Sequence, residues 1–182
     1  MKQLFLFAAV AMVASCNSKN SGSTDTMSPT TDTTAQKINS PYPIQYSSDF
    51  SMDKPQNAET LLKLWKDWDN GDLSVDKDLF ADTVEIHFSD GGVLRASRDS
   101  VTAAAQQVRN SMSKSVSTVN AIMAVKSNDK NENWALIWGK EVDTDKGGKI
   151  DSFYLQETWR FNKNGKANLF YQFRGEATPP KK

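Results

Sequence analysis

The chain has little of what most active sites are built from: one histidine, His87, and one cysteine, Cys16, in 182 residues. A single cysteine excludes any disulfide within the chain, so a fold must rest on its apolar core and hydrogen bonds. No cluster has zinc-ligand spacing. A Ser-His-Asp triad would have to centre on His87, and no supporting motif surrounds it. The Asp90-Gly91-Gly92 and Gly147-Gly148 pairs read as ordinary turns, since neither has the strand-to-helix setting of a phosphate-binding loop. The reading therefore calls for no metal and no other cofactor. Charge of one sign is missing too. With 22 basic and 22 acidic side chains the formal charge is zero, which gives no electrostatic case for DNA or RNA as a partner. Long apolar runs are also lacking: residues 4–13 form a run of about ten, where a membrane helix needs about twenty.

That short run carries information of its own. It follows the positive start at Lys2 and leads into the small residues Ala14 and Ser15, the pattern of a secretory signal peptide. Val13-Ala14-Ser15-Cys16 resembles the lipobox of bacterial lipoproteins, in which the new N-terminal cysteine is acylated. The resemblance implies a signal over residues 1–16 and a lipid on Cys16. The protein is then exported and anchored to a membrane of the cell envelope, on the periplasmic or outer-membrane side.

Residues 17–40 are rich in Ser, Thr, Asn and Asp, with almost nothing to bury against the entropy of ordering. Residues 17–52 are read as a disordered tether, although Pro41-Tyr42-Pro43-Ile44 is left open to contact with the domain. Composition changes at Asp53. Residues 53–177, about 125 in number, have the size of one domain and contain all five tryptophans. Residues 178–182 are a tail.

Within the domain, Ala58, Leu61, Leu62, Trp65 and Trp68 recur at helical spacing, predicting a helix over 55–70. Asp53 is its expected cap, Pro55 suits its first turn and Gly71 its end. A short helical turn over 76–80 faces Leu79 and Phe80 to the core. Val84, Ile86 and Phe88 alternate with Glu85, His87 and Ser89 as in a half-buried strand. A second helix spans 98–112, with Val101, Ala104, Ala105, Val108 and Met112 on one side. Strands over 115–127, 134–143, 150–161 and 167–176 follow, joined by short turns, which predicts an antiparallel meander. The order defines an α+β plan with helices gathered on one face of a sheet.

Two stretches carry a resemblance. Leu64-Trp65-Lys66-Asp67-Trp68-Asp69-Asn70-Gly71-Asp72, then Leu79-Phe80-Ala81-Asp82-Thr83-Val84, resembles the opening of SnoaL-like families in the nuclear-transport-factor-2-like (NTF2-like) superfamily. Glu157-Thr158-Trp159-Arg160-Phe161 with Asn164-Gly165-Lys166 is similar to their closing hairpin. The resemblance implies a cone, a curved sheet wrapped on N-terminal helices around a pocket. It also admits isomerases and hydrolases that work with carboxylates or a tyrosine in an apolar cup, without metal.

Such chemistry needs an acid poised for proton transfer by an apolar wall. Phe153, Leu155, Glu157, Trp159 and Phe161 share one strand face, with Glu157 as its lone acid. Two turns fit the Lys163-Asn164-Gly165 loop. A two-residue turn sets Glu157 opposite Gln172. A three-residue loop sets it opposite Tyr171, with Leu155 facing Phe173 and Trp159 facing Leu169. The second collects the large apolar residues on one face, and the hydrophobic pattern selects it. Glu157 and Tyr171 are thus the candidate catalytic pair.

Trp65, His87, Phe153, Trp159 and Phe173 are the candidate ligand contacts. His87 lies opposite the apolar phase of its strand, so it points outward unless that strand crosses the cup mouth. Trp138 and Trp134 share one strand face while Ala135 and Ile137 make the other apolar as well, which suits a homodimer through the sheet. Three functions remain open on this reading. The first is a lipid-anchored module binding a small, largely apolar molecule. The second is an isomerase or hydrolase using Glu157 with Tyr171 or His87. The third is a non-catalytic dimerising scaffold.

Overall fold

A computed structural model describes residues 38–177. The expected signal, the expected lipidation site Cys16, most of the expected tether and the expected tail lie outside these residues. Among those described, seven strands form one sheet in the order β1-β4-β5-β6-β7-β2-β3. They are β1 (Phe50–Met52), β2 (Phe80–His87), β3 (Val93–Ser97), β4 (Met112–Ser127), β5 (Glu132–Asp145), β6 (Ile150–Phe161) and β7 (Ala167–Glu176). All neighbours are antiparallel except β2 and β7. Helix α1 (Gln56–Asn70) lies on β4 and β5, and α2 (Arg98–Asn110) lies on β2, β3 and a 3₁₀ turn at Ser74–Leu79.

The apolar stripe of α1 explains its place: Leu61, Leu64 and Trp65 are buried against Ala135, Ile137 and Leu155 of the sheet. Helix α1 stops at Gly71, whose positive φ of 86° lets its N–H return to Asp67 and Trp68 carbonyls. Glycine takes that left-handed conformation without a Cβ penalty. The buried guanidinium of Arg109 in α2 donates to the Trp68 and Asp69 carbonyls, fastening the two helices together.

The structure departs from the sequence reading at the edges. Asp53 does not cap α1: Pro55 holds the N-cap position without a side-chain cap, and the Asp53 backbone N–H donates to the Ala124 carbonyl, extending the pairing of β1 with β4. The folded part therefore begins before Asp53, at β1, inside the stretch read as tether. Edge strands β1 and β3 went unread because their side chains are largely exposed and leave no alternation.

The hairpin joining β6 and β7 holds the most consequential difference. Its loop is the three-residue form, with Gly165 at φ 69° and Phe161 facing Ala167. One residue further, Asn168 is bulged out, so Arg160 faces Leu169 and Glu157 faces Gln172. A one-residue insertion turns every later side chain to the opposite face. Phe170, Gln172 and Arg174 consequently face the helices, while Tyr171 and Phe173 face away.

Candidate functional site

Helices and concave sheet face enclose a cavity of about 350 Å³. Its wall is mainly apolar: Trp65 from α1, Val101 and Ala105 from α2, Ile86 from β2, Phe153 and Trp159 from β6. Trp159 stacks flat on Phe170 of β7, ring centroids 4.0 Å apart. The Arg174 guanidinium lies over the Phe153 ring at 3.4 Å.

Into this wall the strands bring carboxylates. Glu157, only 4% exposed, accepts three hydrogen bonds. Trp65 Nε1 and Trp159 Nε1 donate to its Oε2 at 2.8 and 2.9 Å, and Gln172 Nε2 donates to its Oε1 at 2.8 Å. Three N–H donors and no acceptor suit an ionised carboxylate, which only accepts. The helix, the strand bearing Glu157 and its neighbour β7 thus meet on one side chain.

Beside it on β5 lie Glu141 and Asp143, 7% and 6% exposed. Burial, then the Asp143 carboxylate and a hydrogen bond with it, then Glu157 and Asp69, push Glu141 up to about 8. At neutral pH Glu141 therefore keeps its proton, and the wall carries a donor beside acceptors. Asp76 of the 3₁₀ turn also lines the cavity and is 1% exposed. Burial and a hydrogen bond with Asp67 push it up to about 6, against the Lys63 ammonium 3.0 Å away. Asp76 Oδ2 and Asp143 Oδ1 are buried with no hydrogen-bond partner among the described residues.

The structure brings Trp65, Phe153, Glu157 and Trp159 together in the cup. It does not bring Tyr171, His87 or Phe173 there. The Asn168 bulge turns Tyr171 outward, where its ring stacks on His87 at 4.6 Å. The Glu157–Tyr171 pair is accordingly corrected: Gln172 is the partner β7 supplies. His87 holds Glu85 Oε1 at 2.7 Å on that same outer face, the direction expected from its strand phase. Phe173, half exposed, lies outside with Trp138 and Tyr154.

Glu141 and Asp143 were missed by the sequence reading, although a signal existed. Ala135 and Ile137 mark the inward phase of β5, and that phase runs on through Gly139 to both acids. Asp76 had no such signal, because a 3₁₀ turn offers no alternation to extend.

A curved sheet closed over helices, with a cup between them, is the NTF2-like cone fold. Solved structures bear this out. A SnoaL-like protein of Jannaschia sp. CCS1 superposes with a TM-score of 0.55 at 12% identity, covering 71% of this chain and 100% of its own. An NTF2-like protein of unknown function from Burkholderia pseudomallei K96243 gives 0.52 at 19% identity, over 65% and 89% of the two chains. An LEH-like epoxide hydrolase of M. tuberculosis gives 0.55 at 9% identity, over 65% and 82%. At these identities the likeness is one of fold. No protein-family model and no curated protein sequence matches the chain.

Proposed function

We propose that the domain binds a small, largely apolar molecule in the cup, with a polar group of that molecule directed at Glu141, Asp143 and Glu157. The observation that carries this reading is the cavity itself. It has about 350 Å³ of space, within the range of small-molecule sites, and an apolar wall with few convergent polar groups. A scaffold with its cup filled by its own side chains would not have it.

The test uses 2-phenylethanol as an apolar probe and NMR of the full chain. It should shift the indole N–H signals of Trp65 and Trp159, which sit in the wall. Ala105→Trp, which fills the cup, should abolish those shifts. Shifts confined to the outer face around Trp138, or none at all, would overturn the reading.

A second reading is favoured by one specific observation, the three buried carboxyl groups of Glu141, Asp143 and Glu157 on one cavity wall, of which burial and its neighbours push Glu141 up to about 8. A proton donor and acceptors on one apolar wall can exchange a proton with a bound molecule, which is the basis of general acid–base catalysis. Under this reading Glu141 is the acid, Asp143 or Glu157 the base, and the reaction an isomerisation or hydrolysis. The M. tuberculosis neighbour, which shares the fold, is an LEH-like epoxide hydrolase.

The domain is proposed to work at a membrane, tethered through an acylated Cys16. The sequence pattern around Cys16 supports this. Cys16→Ser should leave an uncleaved or slowly processed precursor that takes up no labelled fatty acid. Normal maturation with lipid incorporation in that variant would contradict the anchor.

A further inference from the structure

We propose that the molecule held in the cup carries an ammonium head on an apolar body, and that this head seats against Asp143 and Glu141. The inference rests on the cup being a ligand site, as proposed above, and adds the charge of its ligand.

The first support is the balance of fixed charge. Asp76, Asp143 and Glu157 line the cavity together with Glu141, whose proton leaves it uncharged at neutral pH. Arg174 is the cation lining it, and its guanidinium is spread on the Phe153 ring and leans to Asp151 at 3.4 Å. Lys63 is engaged with Asp67 and Asp76. Glu157 is met by neutral N–H groups alone. Carboxylates thus outnumber the cations placed to answer them, in a setting where burial magnifies the imbalance.

The second support is independent of charge counting. Asp143 Oδ1 is buried in the cavity wall with no N–H or hydroxyl donor, and the one proton placed beside this carboxylate is that of Glu141. A buried acceptor left without a donor is costly, and such groups in native structures call for a partner. An ammonium N–H supplies both the missing donor and the missing charge. A neutral apolar molecule supplies neither, and an anion is repelled. Among the described residues no three His, Cys, Asp or Glu side chains converge to hold a metal ion, so the cation is drawn as an organic one.

The groups facing Glu141 are Asp143 on its own strand, Glu157 on β6 and Asp69 on α1, with Arg174 and Asp76 in the same cavity wall. With carboxylates as its neighbours, Glu141 holds its proton at neutral pH. An arriving ammonium favours the ionised form, so the proton leaves to solvent as the ligand binds.

Calorimetry on the full chain at neutral pH tests this with three probes of similar size: 2-phenylethylamine, 2-phenylethanol and phenylacetate. The amine should bind at least about tenfold more tightly than the alcohol, the gain one nearby opposite charge gives, with phenylacetate weakest. Repeating the titration in buffers of different ionisation enthalpy should show proton release with the amine alone. Asp143→Asn, isosteric and uncharged, should bring the amine's affinity down towards the alcohol's. Equal binding of amine and alcohol, tightest binding by phenylacetate, or an amine affinity untouched by Asp143→Asn would overturn the ammonium inference and leave the cup reading standing. Failure of all three probes to bind would overturn both.

Discussion

Replacing Gly139 with valine should cost more than about 3 kcal/mol of stability, the upper end of what overpacking does. A Cβ at this position would stand 2.2 Å from the Thr118 carbonyl oxygen and 3.0 Å from Cζ3 of Trp65. The first of these atoms is backbone, in a strand paired with β5 on both sides of the contact. It lies next to the register shift between Val119 and Ala121, the kind of irregularity that bends a strand and helps a sheet to curve. Gly139 therefore serves two ends. It permits the bend, and it leaves room for the Trp65 indole to cross β5 and reach Glu157. Urea unfolding with an unchanged slope and a lowered midpoint is the expected result. Gly139→Ala should act in the same direction to a smaller extent. A valine variant within about 0.5 kcal/mol of wild type, the range of neutral surface changes, would show that β4 yields.

Glu157→Gln should destabilise the domain by about 1–3 kcal/mol, because three hydrogen bonds to a charged acceptor become neutral ones. Glutamine keeps the shape but replaces one carboxylate oxygen with an NH₂ group. With its Oε1 toward the two indoles and its NH₂ toward Gln172, whose amide turns to accept through its own Oε1, glutamine keeps all three contacts but only as neutral hydrogen bonds. Amide and carboxylate are near-isosteres in volume, so packing cannot account for the loss. The share carried by the Trp65 N–H is read from a double-mutant cycle with Trp65→Phe, in which the two losses should be less than additive. A Glu157→Gln variant as stable as wild type would mean that the three hydrogen bonds do not hold the wall together in solution.

Much of the frame was legible because apolar periodicity reports burial directly. Ala58, Leu61 and Trp65 of the expected stripe mark the buried face of α1, whereas Leu62 is exposed and Leu64 is buried in its place. Strict alternation from Phe153 to Phe161 fixed the buried face of β6, and every one of those five inward residues is buried. The partner strand was not legible in the same way. The loop at Gly165 was read in its observed length, but the bulge at Asn168 reversed the faces of β7 beyond it. The hydrophobic rule then pointed the wrong way for a physical reason. The cup needs polar groups on β7, Gln172 for Glu157 and Arg174 over Phe153. The outer face meanwhile takes Tyr171 against His87 and leaves Phe173 half exposed. A rule that sends apolar residues inward fails where the interior is a site rather than a core. Glu141 and Asp143 sat in a phase that the sequence displayed, yet two acids in one buried row contradict ordinary burial preferences.

That contradiction is resolved by a proton, and the proton is directly measurable. Carboxyl ¹³C NMR of the glutamate side chains should show Glu141 titrating near 8 rather than at its ordinary 4.5. Its native state binds the proton more tightly than the unfolded chain does. The stability it contributes is therefore fully present below 4.5 and is lost as pH rises through about 8. Glu141→Gln, which cannot ionise, should gain on wild type across that same window. A Glu141 signal titrating at the ordinary carboxylate value, with no pH-dependent gain in the variant, would contradict a cup whose acidic wall holds a proton at neutral pH.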